Sequence, residues 1–376
     1  MVQINKVDLQ SKSDINRFIQ VPFDLYAGHP QWVPRFITDV KAMLNPQKHP
    51  YYDHSDAEFF IAEEDGKVVG RIAALENKPF NQYHQAKDAE FYLFECINDQ
   101  DVANALFETV FDWAKARELN RLVGPKGFGP LDGYGIQIEG FEHRQMMNMM
   151  NYNYPYYRDL VENLGFTKVV DFVSSYINPQ TFQCPPKVRK AAEIAKKRGS
   201  FEVIQFKNKR DLIKWGGRIG RAYNQAFVKN WEYYPLSQRE IDFVVDNVMT
   251  ILDPELIKII VKDDKVVGFV FPFPDVSAAM QKNRGKLGPL AIARLLLELK
   301  RTKWISFNGA GVLPEYQGLG GNAIMYAELE KAMQAKKQFV HSELTQVAET
   351  AEQMRKDLKN LGVEFYKNHR VYQRDL

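Results

Sequence analysis

Cysteine is nearly absent, with only Cys96 and Cys184 in 376 residues. Two cysteines cannot make a disulfide framework or a Cys-ligated zinc site. Charge of one sign is lacking too. Fifty basic and 47 acidic side chains leave a net charge of +3. That is too small to mark a nucleic-acid binder, and no nucleic-acid partner is expected. No apolar run approaches a bilayer span. The opening MVQINKVDLQSKSD does not read as a signal peptide. The seven histidines show no ligand spacing, so no metal is expected. A reducing, cytoplasmic setting follows as the default. What is there is ordinary for a globular protein, 45% hydrophobic and 26% charged. Aromatic content is high at 13%, which suggests large cores or an apolar channel. The length favours two domains over one.

A weak internal repeat supports two domains. FFIAEEDGKVVGRIAAL (Phe59 to Leu75) reads as two strands around a turn at Asp65-Gly66. LIKIIVKDDKVVGFVFPF (Leu256 to Phe273) reads the same way around Asp263-Asp264. A helical pattern precedes each hairpin. A strand, a helix, a strand, a helix and a last strand follow each one. Both final helices end in Leu-Gly, where glycine suits a left-handed cap. The fold class is therefore α/β, with one unit built twice and each copy a mixed sheet flanked by helices. The expected divisions are a first domain over 1–180, a basic linker helix within 181–207 after Pro185-Pro186, and a second domain over 208–376. Two segments break the symmetry. A Gly/Met/Tyr-rich excursion, Phe128 to Tyr157, interrupts the first copy, and Asp275 to Lys303 interrupts the second. Met146 to Met150 either fill core or line an acceptor site.

The strongest local signal is GVLPEYQGLGGNAIMYAELEKA, Gly311 to Ala332. An apolar strand, WISFNGAGV, runs into a glycine-rich turn, and a helix follows. A helix N-terminus offers unpaired N–H groups and partial positive charge, and glycines let a bound anion approach the backbone. The loop lacks the Lys-Ser/Thr of a Walker A sequence and does not match GxGxxG.

Val312, Pro314, Gln317 and Gly320 stand in register with V-x-P-x-x-Q/R-x-x-G-x-G/A. The chain resembles the GCN5-related N-acetyltransferases on that motif, and both halves follow the family's order of elements. Asn322 replaces the final small residue of the motif, with Gly321 and Ala323 beside it. The resemblance implies a tandem member whose second half holds acetyl-CoA or another acyl-CoA as co-substrate. Two central strands would splay, with pantetheine along the first of them around Asn308 to Leu313, and Gly311, Val312 and Leu313 as cofactor-binding residues. The pyrophosphate would sit on Gln317, Gly318, Leu319, Gly320, Gly321 and Asn322. The backbone N–H near Val312 would polarise the thioester, and an amine, the small-molecule acceptor, would attack it directly. The first copy has FECINDQDVANALF at the equivalent turn, with Asp99 and Asp101 in place of glycine. It is not expected to hold the cofactor, and its excursion would help shape the acceptor site.

An attacking amine must lose a proton. Glu343, on the strand SELT, is the first candidate base, and His341 the second. Strand alternation puts both on one face with Thr345. The resemblance also implies a tyrosine acid four residues before the final glycine. Leu358 stands there in the second half and Val161 in the first. Tyr326, Tyr366 and Tyr372 are the alternatives, and nothing in the sequence selects one. The missing tyrosine leaves room for a non-catalytic acyl-CoA binder. A third reading comes from the basic segment Lys282 to Lys303, where Ile292, Leu295, Leu296 and Leu299 fall on one helical face. It is either a helix packed on the domain with a solvated basic face, or a lid or membrane-surface helix of an enzyme that acylates an amino lipid. The sequence leaves the oligomeric state open.

Overall fold

A computed structural model describes residues 1–129, 132–146, 150–231, 233–249 and 251–376. Of the methionine run in the excursion, residues 147–149 lie outside the described residues. The first copy runs β1 (Gln3–Lys6), α1 (Lys12–Leu25), α2 (Ile37–Met43), β2 (Asp56–Glu64), β3 (Lys67–Glu76), α3 (Lys78–His84), β4 (Asp88–Cys96), α4 (Gln100–Lys115), β5 (Arg121–Gly124), β6 (Ile136–Glu139), α5 (Tyr156–Asn163) and β7 (Thr167–Ile177). The second runs α6 (Pro186–Arg198), β8 (Phe201–Gln205), α7 (Lys209–Ala226), α8 (Gln238–Val248), β9 (Lys258–Lys262), β10 (Lys265–Pro274), α9 (Ser277–Asn283), α10 (Pro289–Arg301), β11 (Trp304–Val312), α11 (Gly321–Gln334), β12 (His341–Ala348), α12 (Glu352–Asn360) and β13 (Glu364–Asp375).

The repeat is real in three dimensions. Both hairpin turns place two residues at positive φ, Asp65 (49°) and Gly66 (74°) in one, Asp263 (47°) and Asp264 (60°) in the other. That backbone matches the twist of two-residue hairpins. Each copy then carries a bulge in the next antiparallel pair, between Arg71 and Ala73 in the first and between Val270 and Pro272 in the second. Each also has one central parallel pair, β4 with β5 and β11 with β12.

The compact units do not follow the consecutive division expected from the sequence. One unit comprises Met1–Val173, Ser277–Arg294 and Lys367–Leu376, and the other Ser174–Val276 and Leu295–Tyr366. The reason is strand pairing. In the first unit the order is β1-β2-β3-β4-β5, and β13 closes it by pairing Tyr372 to Asp375 with Gly124 to Arg121. β6, from the excursion, also pairs with β13. In the second unit the order is β12-β11-β10-β9-β8, with the end of β7 beside β12. Each copy's last strand thus begins in one unit and ends in the other.

The first unit buries both faces of its sheet. Along β2, Phe60 and Ala62 join the core under α4 and α5, while Phe59 and Ile61 join the core under α1 and α2. In the second unit Ile305, Phe307 and Leu344 pack with Ile324, Met325, Leu329 and Met333 of α11. Helix α6 is part of that core through Ala192 and Ala195, so it is no linker. Its Arg189 pairs with Glu330 at 2.6 Å and its Lys196 with Glu328 at 2.7 Å. Sequence pattern could not give this, because α11 carries its two buried acids on the side that α6 covers.

Candidate active site

The second unit holds a wedge. β11 and β12 pair in parallel at Trp304–His341, Ile305–Ser342, Ser306–Glu343 and Phe307–Leu344. Beyond Phe307 and Leu344 no further pair forms between them, although β11 runs on to Val312 and β12 to Ala348. Two backbone departures accompany the opening. β11 bulges opposite Val270 to Pro272, with Gly309 at φ +141°, and Gln346 of β12 takes φ +50°. The Thr345 hydroxyl donates to Phe307 O at 3.1 Å, at the fork.

Val312 presents its backbone to the open side. Leu313 N–H donates to Val267 O at 2.9 Å, toward β10. Backbone groups alternate along a strand, so the Val312 N–H and C=O face away from β10. Gln317 Nε2 donates to that Val312 carbonyl at 2.9 Å. The motif glutamine therefore holds the turn, while the Val312 N–H aims into the wedge. The Leu313 side chain is fully buried, so only its backbone is near the wedge.

The glycine loop leads into a helix with no side-chain cap. Gly318 and Gly320 stand at φ +77° and +99°, a region costly for other residues. The first-turn N–H groups of α11 have no acceptor within the helix, which leaves partial positive charge at the loop. Gln317, Gly318 and Leu319 are exposed, and Gly321 is buried. A Cβ on Gly320 would stand 2.4 Å from the Ala195 Cβ of α6, so that glycine is also a packing requirement. The equivalent end of α4 is different. There Asp99 caps the helix, its carboxylate accepting from Asp101 N at 2.8 Å and Val102 N at 3.3 Å. The residues around α11 fit a diphosphate, and those around α4 already hold a carboxylate in its place.

Glu343 is fully buried on β12, one residue before the fork. The Tyr366 hydroxyl donates to its Oε2. Burial, and then the neighbouring Glu343 carboxylate, push the Tyr366 phenol far above its ordinary range, so it keeps its proton. Of the three tyrosines left open by the sequence, this contact singles out Tyr366. Tyr326 donates instead to Asp357 at 2.9 Å, and Tyr372 to Glu162 at 2.9 Å. Leu358 and Val161, at the family's tyrosine position, are both buried in core. His341 sits at the closed end of the pair, three residues below Leu344, about 10 Å along the strand. It stacks on Trp304, with ring centroids 4.5 Å apart, and its Nδ1 meets the Tyr176 hydroxyl at 2.9 Å. Burial, and then Lys303, hold its imidazole below the ordinary value.

The first unit has a feature no motif announced. The excursion does not stand apart, because Gln145, Asn151, Tyr152 and Asn153 line a cavity with Arg35, Arg71 and Glu95. Glu95 accepts from Tyr26 at 2.7 Å and Tyr157 at 2.9 Å and lies 3.7 Å from Arg71. These residues come from distant segments, so no spacing could reveal them.

The fold is that of the GCN5-related N-acetyltransferases, built in tandem in one chain. It superposes on a tandem GNAT protein from the clavulanic acid biosynthesis pathway with a TM-score of 0.56, at 10% identity, covering 100% of this chain and 98% of that one. In sequence, the chain is 25% identical over 382 residues to the bacterial ceramide synthase of Caulobacter vibrioides, covering 99% of this chain and 98% of the relative. It is also 25% identical over 373 residues to protein YghO of Escherichia coli, covering 97% and 94%. No family model matches the chain.

Proposed function

We propose that the chain is an acyl-CoA-dependent N-acyltransferase whose second unit transfers a long-chain acyl group to the amine of a long-chain amino lipid. The wedge beside an uncapped glycine loop is the observation that carries the acyl-CoA part. The acceptor class rests on the full-length likeness to a relative named as a ceramide synthase, since a ceramide is an amide of a fatty acid with a long-chain base.

In this reading the pantetheine lies along Gly311 to Leu313 and the pyrophosphate on Gln317 to Asn322. The Val312 N–H donates to the thioester oxygen as negative charge grows there. The amine nitrogen attacks the thioester carbon, the C–N bond forms and the C–S bond breaks. Glu343 takes the proton shed by the nitrogen, through a water, the Tyr366 hydroxyl holds that carboxylate in place, and the thiolate leaves as an anion that takes its proton from water. His341, at the closed end of the strand pair, orients Trp304 and Tyr176 and takes no proton. The first unit holds no acyl-CoA, because Asp99 caps the helix that would receive it. A non-catalytic acyl-CoA binder is favoured by Leu358 at the usual tyrosine position. Tyr366 against Glu343 speaks for catalysis.

The test pairs binding with turnover. Calorimetric titration compares acetyl-CoA with palmitoyl-CoA, and mass spectrometry follows amide formation from palmitoyl-CoA and sphinganine. Glu343→Gln and Tyr366→Phe are each expected to lower kcat by roughly a hundredfold with little change in acyl-CoA affinity. Folded wild type that binds neither thioester would end the acyltransferase reading. Turnover with water-soluble amines and none with sphinganine would end the lipid-acceptor reading.

A further inference from the structure

Helix α10 turns its apolar face outward. A helix packed on the domain with a solvated basic face would hide its leucines. Here only part of them is hidden. Ala291 and Leu295 are buried at 8% and 3%, but Leu290, Ile292, Leu296 and Leu297 are exposed at 65, 50, 55 and 44%. Leu287, just ahead of the helix, is exposed at 39%. At 3.6 residues per turn the exposed positions form one continuous outward arc. A soluble surface seldom gathers so many large aliphatic side chains in one place.

Cations accompany the arc. Lys282, Arg284 and Lys286 precede the helix, Arg294 and Arg301 stand at the arc's edge, Lys300 falls within it in the last turn and Lys303 follows, all seven exposed, with Glu298 the one acid in the segment. The helix is held in place from behind. Asn283 Nδ2 donates to Ala291 O at 3.2 Å, and Arg294 Nη1 donates to Asn283 Oδ1 at 3.2 Å. The turn before it is fixed as well. Gly285, at φ +67°, accepts from Ile37 N at 2.9 Å, and Gln281 Nε2 donates to Trp32 O at 2.8 Å. The bare face is thus a fixed surface on an ordered helix, and no helix among the described residues is long and apolar enough to cross a membrane.

We infer that α10 docks in the plane of an anionic bilayer surface, with Leu290, Ile292, Leu296 and Leu297 among the acyl chains and the accompanying cations on the headgroups. An aliphatic face with cations beside it is the pattern of helices that lie in a membrane interface. A protein partner would need acidic groups around an apolar groove, whereas an anionic leaflet supplies both chemistries without a specific fit. The inference gains purpose from the amino-lipid reading, because both substrates would then be membrane-soluble amphiphiles. Its evidence is separate from that reading.

The experiment is sedimentation of the full chain with phosphatidylcholine vesicles, with and without phosphatidylglycerol. Wild type is expected to sediment with the anionic vesicles at low salt and to be released at high salt. Lys300→Gln with Arg301→Gln is expected to lower the partition constant about fivefold per cation. Leu296→Ser with Leu297→Ser is expected to lower it by roughly tenfold or more. In Leu297→Trp, indole emission should shift to the blue on anionic vesicles. Urea midpoints and acetyl-CoA titration in vesicle-free buffer accompany every variant. Wild type that stays in the supernatant with anionic vesicles at low salt would overturn the inference. So would Ser variants that sediment like wild type, or a wild-type dimer that the Ser variants dissolve, which would assign the face to a second copy. Wild type that binds neither acetyl-CoA nor palmitoyl-CoA yet sediments with anionic vesicles would sink the enzyme reading and leave this one standing.

Discussion

A single charge placed at Leu319 tests the proposed anion seat most directly. Leu319 is 64% exposed in the middle of the loop, so its replacement gives up little packing. Gly320 would be a poor choice, since φ +99° and the Ala195 contact at 2.4 Å would mix misfolding with lost binding. Leu319→Glu and Leu319→Gln differ by one charge and almost nothing else. Suppose a pyrophosphate carrying two charges rests on the first turn of α11, about 7 Å from the new carboxylate. Coulomb's law then gives about 1 kcal/mol of repulsion at the dielectric constant of water and about 5 kcal/mol at an effective value near 20. The carboxylate is exposed, and at physiological salt the Debye length is about 8 Å, so roughly 1–2 kcal/mol should survive screening. That is a fivefold to thirtyfold rise in Kd for Glu over Gln. Calorimetric titration with acetyl-CoA reads it, and the gap should narrow at high salt. Equal Kd values for folded Glu and Gln variants would refute the placement of the pyrophosphate on this loop, whatever else the protein binds.

Three further outcomes are expected. Asp99→Ala removes the cap of α4 and should cost about 1 kcal/mol in urea unfolding, with the acetyl-CoA affinity unchanged; a loss of that affinity would move the cofactor to the first unit. Burial, opposed by the hydrogen bond with Asn151 O and aided by Lys367, holds the His369 imidazole down at about 4. Between its unfolded value of 6.5 and about 4 the unfolded chain takes a proton that the native chain refuses. Its contribution is therefore complete above that window and falls as pH drops through it, by about 3 kcal/mol at the acid end. Urea midpoints across that window should flatten in His369→Gln, and an unchanged slope would show that His369 is not the group responsible. Burial pushes the Cys96 thiol up to about 12 and the Cys184 thiol to about 11. Iodoacetamide at mildly alkaline pH should label neither until denaturant is added, and mass spectrometry showing rapid native labelling of either would contradict its burial.

Much of the fold is written locally. Turn chemistry at Asp65-Gly66 and Asp263-Asp264, strand alternation, and the two Leu-Gly helix ends specify each copy without long-range information. The glycine loop is legible for the same reason, because its positive φ angles demand glycine at Gly318 and Gly320. Other features are not local. The role of α6 depends on Arg189 and Lys196 finding Glu330 and Glu328 more than a hundred residues away. The place of β13 in the first unit depends on its pairing with β5 and β6. Spacing left Tyr326, Tyr366 and Tyr372 equivalent, and the contact with Glu343 separates them. The helical period placed Leu295 and Leu296 on one face, yet packing buries the first and exposes the second.

Read alone, the residues specify the α/β unit, its duplication, the glycine-rich turn into α11 and the carboxylate on the neighbouring strand. Those follow from backbone geometry and residue type within short windows. Long-range packing settles which tyrosine meets Glu343, that α6 is core, and that Leu290, Leu296 and Leu297 of α10 face outward while Leu295 does not. Each of these depends on which surfaces meet after the chain has folded back, and one-dimensional spacing does not carry that information.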